Sequence, residues 1–387
     1  MSYLVTNFAY GTGPYLRTTE LALAFNNELM RRGRARIPII VPWVYGDKQK
    51  QIMSENFGAH AAAYPDEILL DAKLGGILKR VFYTGERRYE ETLRAWVESA
   101  SRVSNEAEKH LLGTFEVETL GAKKRVVSGR DIVLELNRSP RIRYGVAPSY
   151  STTFGHVAEI LESAHAAGRK AIDINPESLK KGATLADVIE GRQDINCMAY
   201  PATFSWRRDY KSRYKGEVLV PPITDLPQKS DGPLDEGIYV TITGIEGLER
   251  LYGEARALGL KLYSNDPKAV EGAVKILPEV IPNPAIKFQF ARSGWGSVWL
   301  SMFCGIPIVE PEFDPTDDPE IYLNNIAIEE MGIGIIYRWQ PLQSILAESE
   351  RVRQKQKEMR EAIFKQWGTL NGNEVCAKLF ADKFLAG

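Results

Sequence analysis

Arg292, Gly294, Gly296 and Ser297 fall within one short turn. An apolar run, Lys287-Phe288-Gln289-Phe290, precedes it, and a segment of helical spacing closed by Gly305 comes after it. The two glycines let backbone N–H groups approach a ligand without a Cβ in the way. Ser297 stands where the helix begins, so N–H groups, hydroxyl and helix dipole converge on a point that suits a phosphate. Arg292 adds a bidentate donor. A plain tight turn would use the same residues. Two candidates for a proton-accepting group lie elsewhere. His156 follows Thr153-Phe154-Gly155 and opens a helix, from which an imidazole could deprotonate an acceptor; a helix-start histidine bonded to backbone is the plainer alternative. Asp173 ends an apolar run, Ala171–Ile174, read as a strand, and strand ends line the crevice of open α/β sheets. Capping the helix that opens at Pro176 is its alternative role.

These groups need elements to hold them, and the chain reads as alternating strands and helices. Tyr3–Thr6 is a short apolar run, broken by Gly11-Thr12-Gly13-Pro14. A helix is predicted over Thr18–Arg32, capped by Thr18 or Thr19 and stopped by Gly33. Strands are predicted at 37–41, 132–136, 238–242, 261–263, 287–290 and 306–309, with helices at 157–167 and 247–258 and a mainly helical stretch from 66 to 113. The Pro221–Pro227 and Ser230–Pro233 runs form the best linker, and the βα alternation restarts beyond it. The tail from Leu342 to Leu385 reads as two helices broken near Gly368. This pattern predicts an α/β protein of two Rossmann-like halves facing across a cleft, with the last helix returning to the first half. The expected units are 1–230, 231–365 and 366–387.

The segment beyond the glycine turn narrows the reading. The strand start Gly305-Ile306-Pro307, the acidic run Glu310 to Glu320, Asn324-Asn325 and Met331-Gly332-Ile333-Gly334 come in an order that resembles the donor-binding half of GT-B glycosyltransferases. Arg292-Ser293-Gly294 followed by Ser297 looks like the MurG-type enzymes and the plant UDP-glycosyltransferase signature. The resemblance covers 290–334. It implies that Arg292, Ser293, Gly294, Gly296 and Ser297 cradle a donor diphosphate, with Thr243 and Gly244 at the loop touching phosphate or sugar. It places Asp317, Asp318 and Asn324 on sugar hydroxyls and Gly11, Thr12, Gly13 and Tyr15 on an acceptor-side loop. Two residues depart from the pattern. Leu300 stands where a glutamate commonly holds the ribose, so that contact moves to Glu310 or Glu312 or is absent. Tyr15 stands where MurG-type enzymes have a histidine, and a phenol is a poor base at neutral pH.

The resemblance therefore implies glycosyl transfer from a nucleotide sugar, most naturally a UDP-sugar, to a hydroxyl acceptor, without a metal or other cofactor. A non-catalytic protein of the same fold that binds nucleotide or glycan, and a UDP-sugar 2-epimerase, are the alternatives. Composition sets the outer bounds. Among 387 residues, 49 Lys+Arg balance 50 Asp+Glu, which argues against a dedicated nucleic-acid binder. Three scattered cysteines and four histidines offer neither a disulfide framework nor a close-spaced metal site. No signal peptide or long apolar span is evident, so a cytoplasmic protein is expected. Two basic–aromatic stretches, Trp206–Lys215 and Ile77–Arg88, would suit anionic headgroups at the inner face of a membrane and a lipid-linked acceptor.

Overall fold

The structure, a computed structural model, describes residues 2–9, 11–81, 88–241 and 248–386. Thr243 and Gly244, and Phe82, Tyr83 and Arg87 of the second basic stretch, lie outside the described residues. Two sheets organise the chain. The first holds β1 (Tyr3–Phe8), β2 (Ile39–Pro42), β3 (Ile68–Asp71), β4 (Thr114–Thr119), β5 (Lys124–Ser128), β6 (Ile132–Arg138), β7 (Ser149–Thr153), β8 (Ile195–Ala199) and β9 (Glu217–Val220). Their order is β5-β4-β3-β2-β1-β6-β7-β8-β9, and only the pairings that involve β4 are antiparallel. The second sheet is wholly parallel: β10 (Gly237–Val240), β11 (Lys261–Ser264), β12 (Val274–Lys275), β13 (Ile286–Phe290), β14 (Ile308–Pro311) and β15 (Gly334–Tyr337), ordered β12-β11-β10-β13-β14-β15. In each sheet the order reverses beside the first strand. Parallel sheets open their ligand crevices at such switch points, beyond the strands' carboxyl ends.

Helices α1 (Thr12–Arg31), α2 (Gly46–Ala63), α3 (Ala72–Leu78), α4 (Tyr89–Leu111), α5 (Val157–Ala167) and α6 (Pro176–Glu190) serve the first sheet. Helices α7 (Leu248–Ala257), α8 (Trp295–Cys304), α9 (Pro319–Met331) and α10 (Leu342–Trp367) serve the second. Helix α11 (Gly372–Ala386) crosses back. Phe384 meets Phe25 of α1 edge-on at 5.7 Å, Phe380 lies 5.3 Å from Tyr150, and Arg32 pairs with Asp382 at 2.6 Å. Gly372 makes the crossing feasible, because a Cβ there would sit 2.2 Å from the Pro221 carbonyl oxygen. Among the described residues no helix is long and apolar enough to cross a membrane.

Several sequence expectations need correction. Helix α1 starts at Thr12, ahead of the predicted threonine cap. Gly11 takes φ 110° at the boundary, and Pro14 sits in the first turn, where its missing N–H costs little. Thr18 and Thr19 instead bond back to the carbonyls of Pro14 and Tyr15. The stretch from 66 to 113 contains β3, a four-residue strand too short for a periodic signal. Ala171–Ile174 is not a strand: Ile172 and Ile174 are buried in a turn between α5 and α6. The cap of α6 is Asn175, whose Oδ1 accepts from the N–H groups of Glu177 and Ser178.

Candidate functional site

The loop after β13 and the first turn of α8 form the centre. The first N–H groups of a helix have no intrahelical acceptor, and α8 has no acidic residue in its first turn to neutralise its positive end. Trp295 and Gly296 therefore present N–H groups with no acceptor among the described residues, whereas Ser297 donates its own to the Gly294 carbonyl at 2.9 Å. A Cβ placed on Gly294 or Gly296 would meet nothing within 4 Å. Neither glycine is demanded by the chain's own packing, and the space in front of both is open. Ser293 differs: it is buried, its Oγ reaches the Ile321 carbonyl at 3.4 Å, and it packs behind the loop. Arg292 Nη2 contacts Asp317 Oδ2, so the arginine at the turn and the acidic run are joined.

The acidic run does not present every residue to the cleft. Asp318 caps α9, its Oδ1 accepting from the Glu320 N–H at 3.0 Å. Asn324 is 0 % exposed and saturated. Its Oδ1 accepts from Trp295 Nε1 (2.9 Å) and Thr203 Oγ1 (2.8 Å), while its Nδ2 donates to the Ser293 carbonyl (2.7 Å) and Glu320 Oε1 (3.2 Å). The expected contact of Asn324 with a sugar hydroxyl gives way to a clasp that ties the donor loop, α9 and the first half together. Trp299 Nε1 adds a bond to the Pro201 carbonyl at 2.8 Å. Glu320, read in the sequence only as the end of the acidic run, joins this clasp. Burial first, then the charge of Asp318, push its carboxyl up to about 7, against Asn324, Arg141 and Arg292. Its spacing four residues before Asn324 was the available signal.

On the first half, His156 and Tyr15 are closed off, while Asp173 is exposed. Tyr15 is core, packed 5.8 Å from Tyr45 and 6.1 Å from Phe8. Gly11 donates its N–H to the Tyr45 hydroxyl at 2.7 Å, while Gly13 lies exposed in the first turn of α1. His156 is 1 % exposed; its Nε2 bonds Glu217 Oε2 at 2.5 Å and its ring meets Tyr214 edge-on at 4.8 Å. Burial alone would raise the Glu217 carboxyl, but bonds from His156 and Tyr210 hold it below its usual value. The N-terminus of α5 is already occupied, because Glu190 accepts from the N–H groups of Val157 and Ala158. Asp173 faces solvent, paired with Arg169 at 2.7 Å, and donates its N–H to the Pro315 carbonyl of the other half.

Glu310 and Glu312, the expected alternatives for a ribose contact, lie in different surroundings. Glu312 is exposed at the rim, 3.7 Å from Arg338. Glu310 is 0 % exposed, shares a face of β14 with Ile308, and neither carboxylate oxygen has a hydrogen-bond partner among the described residues. Burial raises its pKa well above the ordinary 4.5. The folded state then holds a proton that the unfolded chain releases above that value, so this group's contribution to stability falls as pH rises from 4.5 towards its folded pKa. Glu310→Gln is expected to melt higher than the parent at about pH 8, with the gap shrinking by about pH 5. Equal gaps at both pH values in thermal scans would contradict a buried, protonated Glu310.

No family model matches the chain, and no curated protein matches it in sequence. Solved structures do. The calicheamicin glycosyltransferase CalG4 is 15 % identical with TM-score 0.59, covering 100 % of this chain and 98 % of its own. A UDP-glucosyltransferase from Polygonum tinctorium capable of glucosylating indoxyl is 11 % identical with TM-score 0.61, covering 100 % and 99 %. UGT89C1 of Arabidopsis thaliana, complexed with UDP-L-rhamnose, is 12 % identical with TM-score 0.59, covering 99 % and 98 %. The chain has the GT-B fold. The two-sheet alternation and the returning last helix read from the sequence are thereby confirmed.

Within this GT-B fold, Leu300 on α8 faces a cavity of about 470 Å³ between the halves. Arg17 of α1, the linker from Thr224 to Ser230, Pro278, Glu279 and Pro282 complete its wall. The carboxylates sharing that space with Leu300 are Asp225 and Glu279. In the basic stretch Trp206–Lys215, Arg207, Arg208, Lys211 and Lys215 are exposed, while Tyr210, Arg213 and Tyr214 are engaged within the protein. Arg213 pairs with Glu162 and Asp187, Tyr210 with Glu217, and Tyr214 with Asp187. Among the described residues no group of three or more His, Cys, Asp or Glu is arranged to hold a metal ion.

Proposed function

We propose that the protein transfers a glycosyl unit from a nucleoside-diphosphate sugar to a hydroxyl-bearing acceptor held in the cleft. The carrying observation is the first turn of α8: N–H groups with no described acceptor, an uncompensated helix dipole and two glycines facing open space, with Arg292 alongside. In the reaction the anomeric carbon–oxygen bond breaks with its electron pair going to the diphosphate, while the acceptor oxygen bonds that carbon and its hydroxyl proton passes to the departing diphosphate or to solvent. The α8 dipole, the N–H groups and Arg292 would stabilise the charge growing on the leaving diphosphate. The nucleoside fits the 470 Å³ cavity beside α8, where Glu279 is the carboxylate we assign to the ribose in place of the residue at 300. Residues 1–230 would form the acceptor half, 231–365 the donor half and 366–387 the returning segment. Neighbours solved with UDP and with UDP-L-rhamnose make uridine diphosphate the first donor nucleotide to test. We place the activity in the cytosol, with no cofactor beyond the donor.

The burial of Tyr15 and His156 favours a second reading, a non-catalytic GT-B protein that binds the nucleotide without turning it over. Melting scans against UDP, dTDP, GDP, ADP and CMP and their sugar conjugates test the binding. A ligand at about 100 times its dissociation constant adds ~2.7 kcal/mol, enough for a shift of a few degrees. One nucleotide is expected to shift the midpoint, and Arg292→Ala to lose that shift. A flat response to all of them would remove the donor reading. Release of nucleoside diphosphate from a binding sugar conjugate, with glycosylated product, selects the transferase; retained binding without any release selects the second reading.

A further inference from the structure

Arg138 ends β6 at the carboxyl edge of the first sheet, beside β1, where the Ala9 N–H bonds its carbonyl at 3.0 Å. It is 4 % exposed. One of its nitrogens, Nη1, donates to the Ile223 carbonyl at 3.0 Å, and its guanidinium carbon lies 5.7 Å from the centroid of the Phe154 ring. Nε and Nη2 bond no described residue, and no described carboxylate stands within ion-pairing distance. Besides the Cys376 thiol of α11, the charged groups acting on it come from two sides. They are Arg17 and Glu20 of α1, which are bound to each other at 2.6 Å, and Glu320 across the cleft on α9. Arg141, three residues on, also lacks a carboxylate partner among the described residues and sits 5.5 Å from the Trp96 ring.

A buried cation without a counter-ion is costly, and native structures tolerate it where something else compensates. Burial, and then Arg17, lower the Arg138 pKa to about 10, which leaves the group charged at neutral pH. A guanidinium offers five N–H donors in a planar fork that matches a carboxylate or phosphate. One nitrogen of that fork is fixed on a carbonyl, and the residue stands at the carboxyl end of a central parallel strand, where such sheets open their ligand crevices. We propose that Arg138 binds an oxyanion, a carboxylate or phosphate carried by the acceptor, so that the acceptor class is an anionic molecule bearing a hydroxyl. This rests on the transferase reading and narrows its acceptor.

The test titrates phenyl phosphate, benzoate and, as the neutral control, benzyl alcohol into the protein with and without saturating UDP, reading melting temperature and heat of binding. Phenyl phosphate or benzoate is expected to add a shift on top of that from UDP, and which of them does so separates phosphate from carboxylate. Arg138→Met is expected to keep the UDP response and weaken the aryl anion roughly tenfold or more, the size of a charge-assisted bond. The free Arg138→Met protein should melt no lower than the parent, since an unpaired buried charge has been removed. Arg138→Lys keeps a cation and should retain part of the affinity, and it serves if the methionine variant does not fold. Gly296→Val should do the reverse, losing UDP and keeping the aryl anion. The proposal is overturned by unchanged aryl-anion affinity in the Arg138 variants, or by no aryl-anion response in a protein that binds UDP. Loss of the UDP response in Arg138→Met would also overturn it, by placing the arginine on the donor. If no nucleotide binds, the transferase reading fails by itself, and the arm without UDP still decides Arg138.

Discussion

Gly296→Val is expected to abolish the thermal stabilisation given by a nucleoside diphosphate while leaving the melting temperature of the free protein where it was. Gly296 lies in the first turn of α8, and a Cβ there meets nothing within 4 Å, so the fold itself has room for the larger side chain. Helix propensity even favours the change, by about 0.5 kcal/mol. The same side chain would fill the space a phosphate needs to reach the N–H groups of residues 295 and 296. An affinity loss of about a hundredfold corresponds to ~2.7 kcal/mol, so a clear ligand-induced shift should vanish. The pairing of results is the diagnostic. A variant that still responds to the nucleotide would show that the loop does not hold the diphosphate. A variant that melts many degrees lower without ligand would show that Gly296 serves the fold instead.

Asn324→Leu is expected to cost about 3 kcal/mol or more, because a near-isosteric apolar side chain leaves three buried groups without their partner. The Trp295 indole N–H and the Thr203 hydroxyl lose an acceptor, and the Ser293 carbonyl loses a donor. The Thr203 hydroxyl can still take part of the indole bond at 3.0 Å, which limits the loss. The bonds run between residues 92 and 121 positions apart, so the damage should appear as weakened association of the two halves as well as a displaced donor loop. Urea unfolding measures it. A cost below about 1 kcal/mol, with only substrate affinity changed, would return Asn324 to the sugar-contacting role that the resemblance implies and remove it from the clasp.

Much of the site was visible in short stretches of sequence. The strand, glycine turn and helix at 286–304 needed only local spacing, and they appear as β13, the Arg292–Gly294 loop and α8. The acidic run appears as the approach to α9, with Asp317 meeting Arg292. Strand β7 escaped notice because its composition is not that of a core, and β8 and β9 because runs of five and four residues carry little periodic signal. Ser149-Tyr150-Ser151-Thr152-Thr153 is polar in type, yet every residue is buried in the middle of the sheet. Arg138 escaped for the same reason, since a lone arginine after an apolar run reads as a solvated strand end.

The sequence by itself determined the βα alternation, the break between the two sheets after Val220, the paired C-terminal helices and the phosphate-suited start of α8. All of these arise from contacts between residues a few positions apart, through hydrophobic periodicity, caps and glycine or proline stops. Only the tertiary structure decided which polar side chains are available for chemistry. It sealed His156 against Glu217, sixty-one positions away, and packed Tyr15 against Tyr45. It also left Glu310 without a partner among the described residues, spent Asn324 on a clasp and buried Arg138 with no described carboxylate within ion-pairing distance. The reason is physical. Helices and turns are specified by near neighbours, whereas the partner of a buried charge or amide is set by which distant element packs against it.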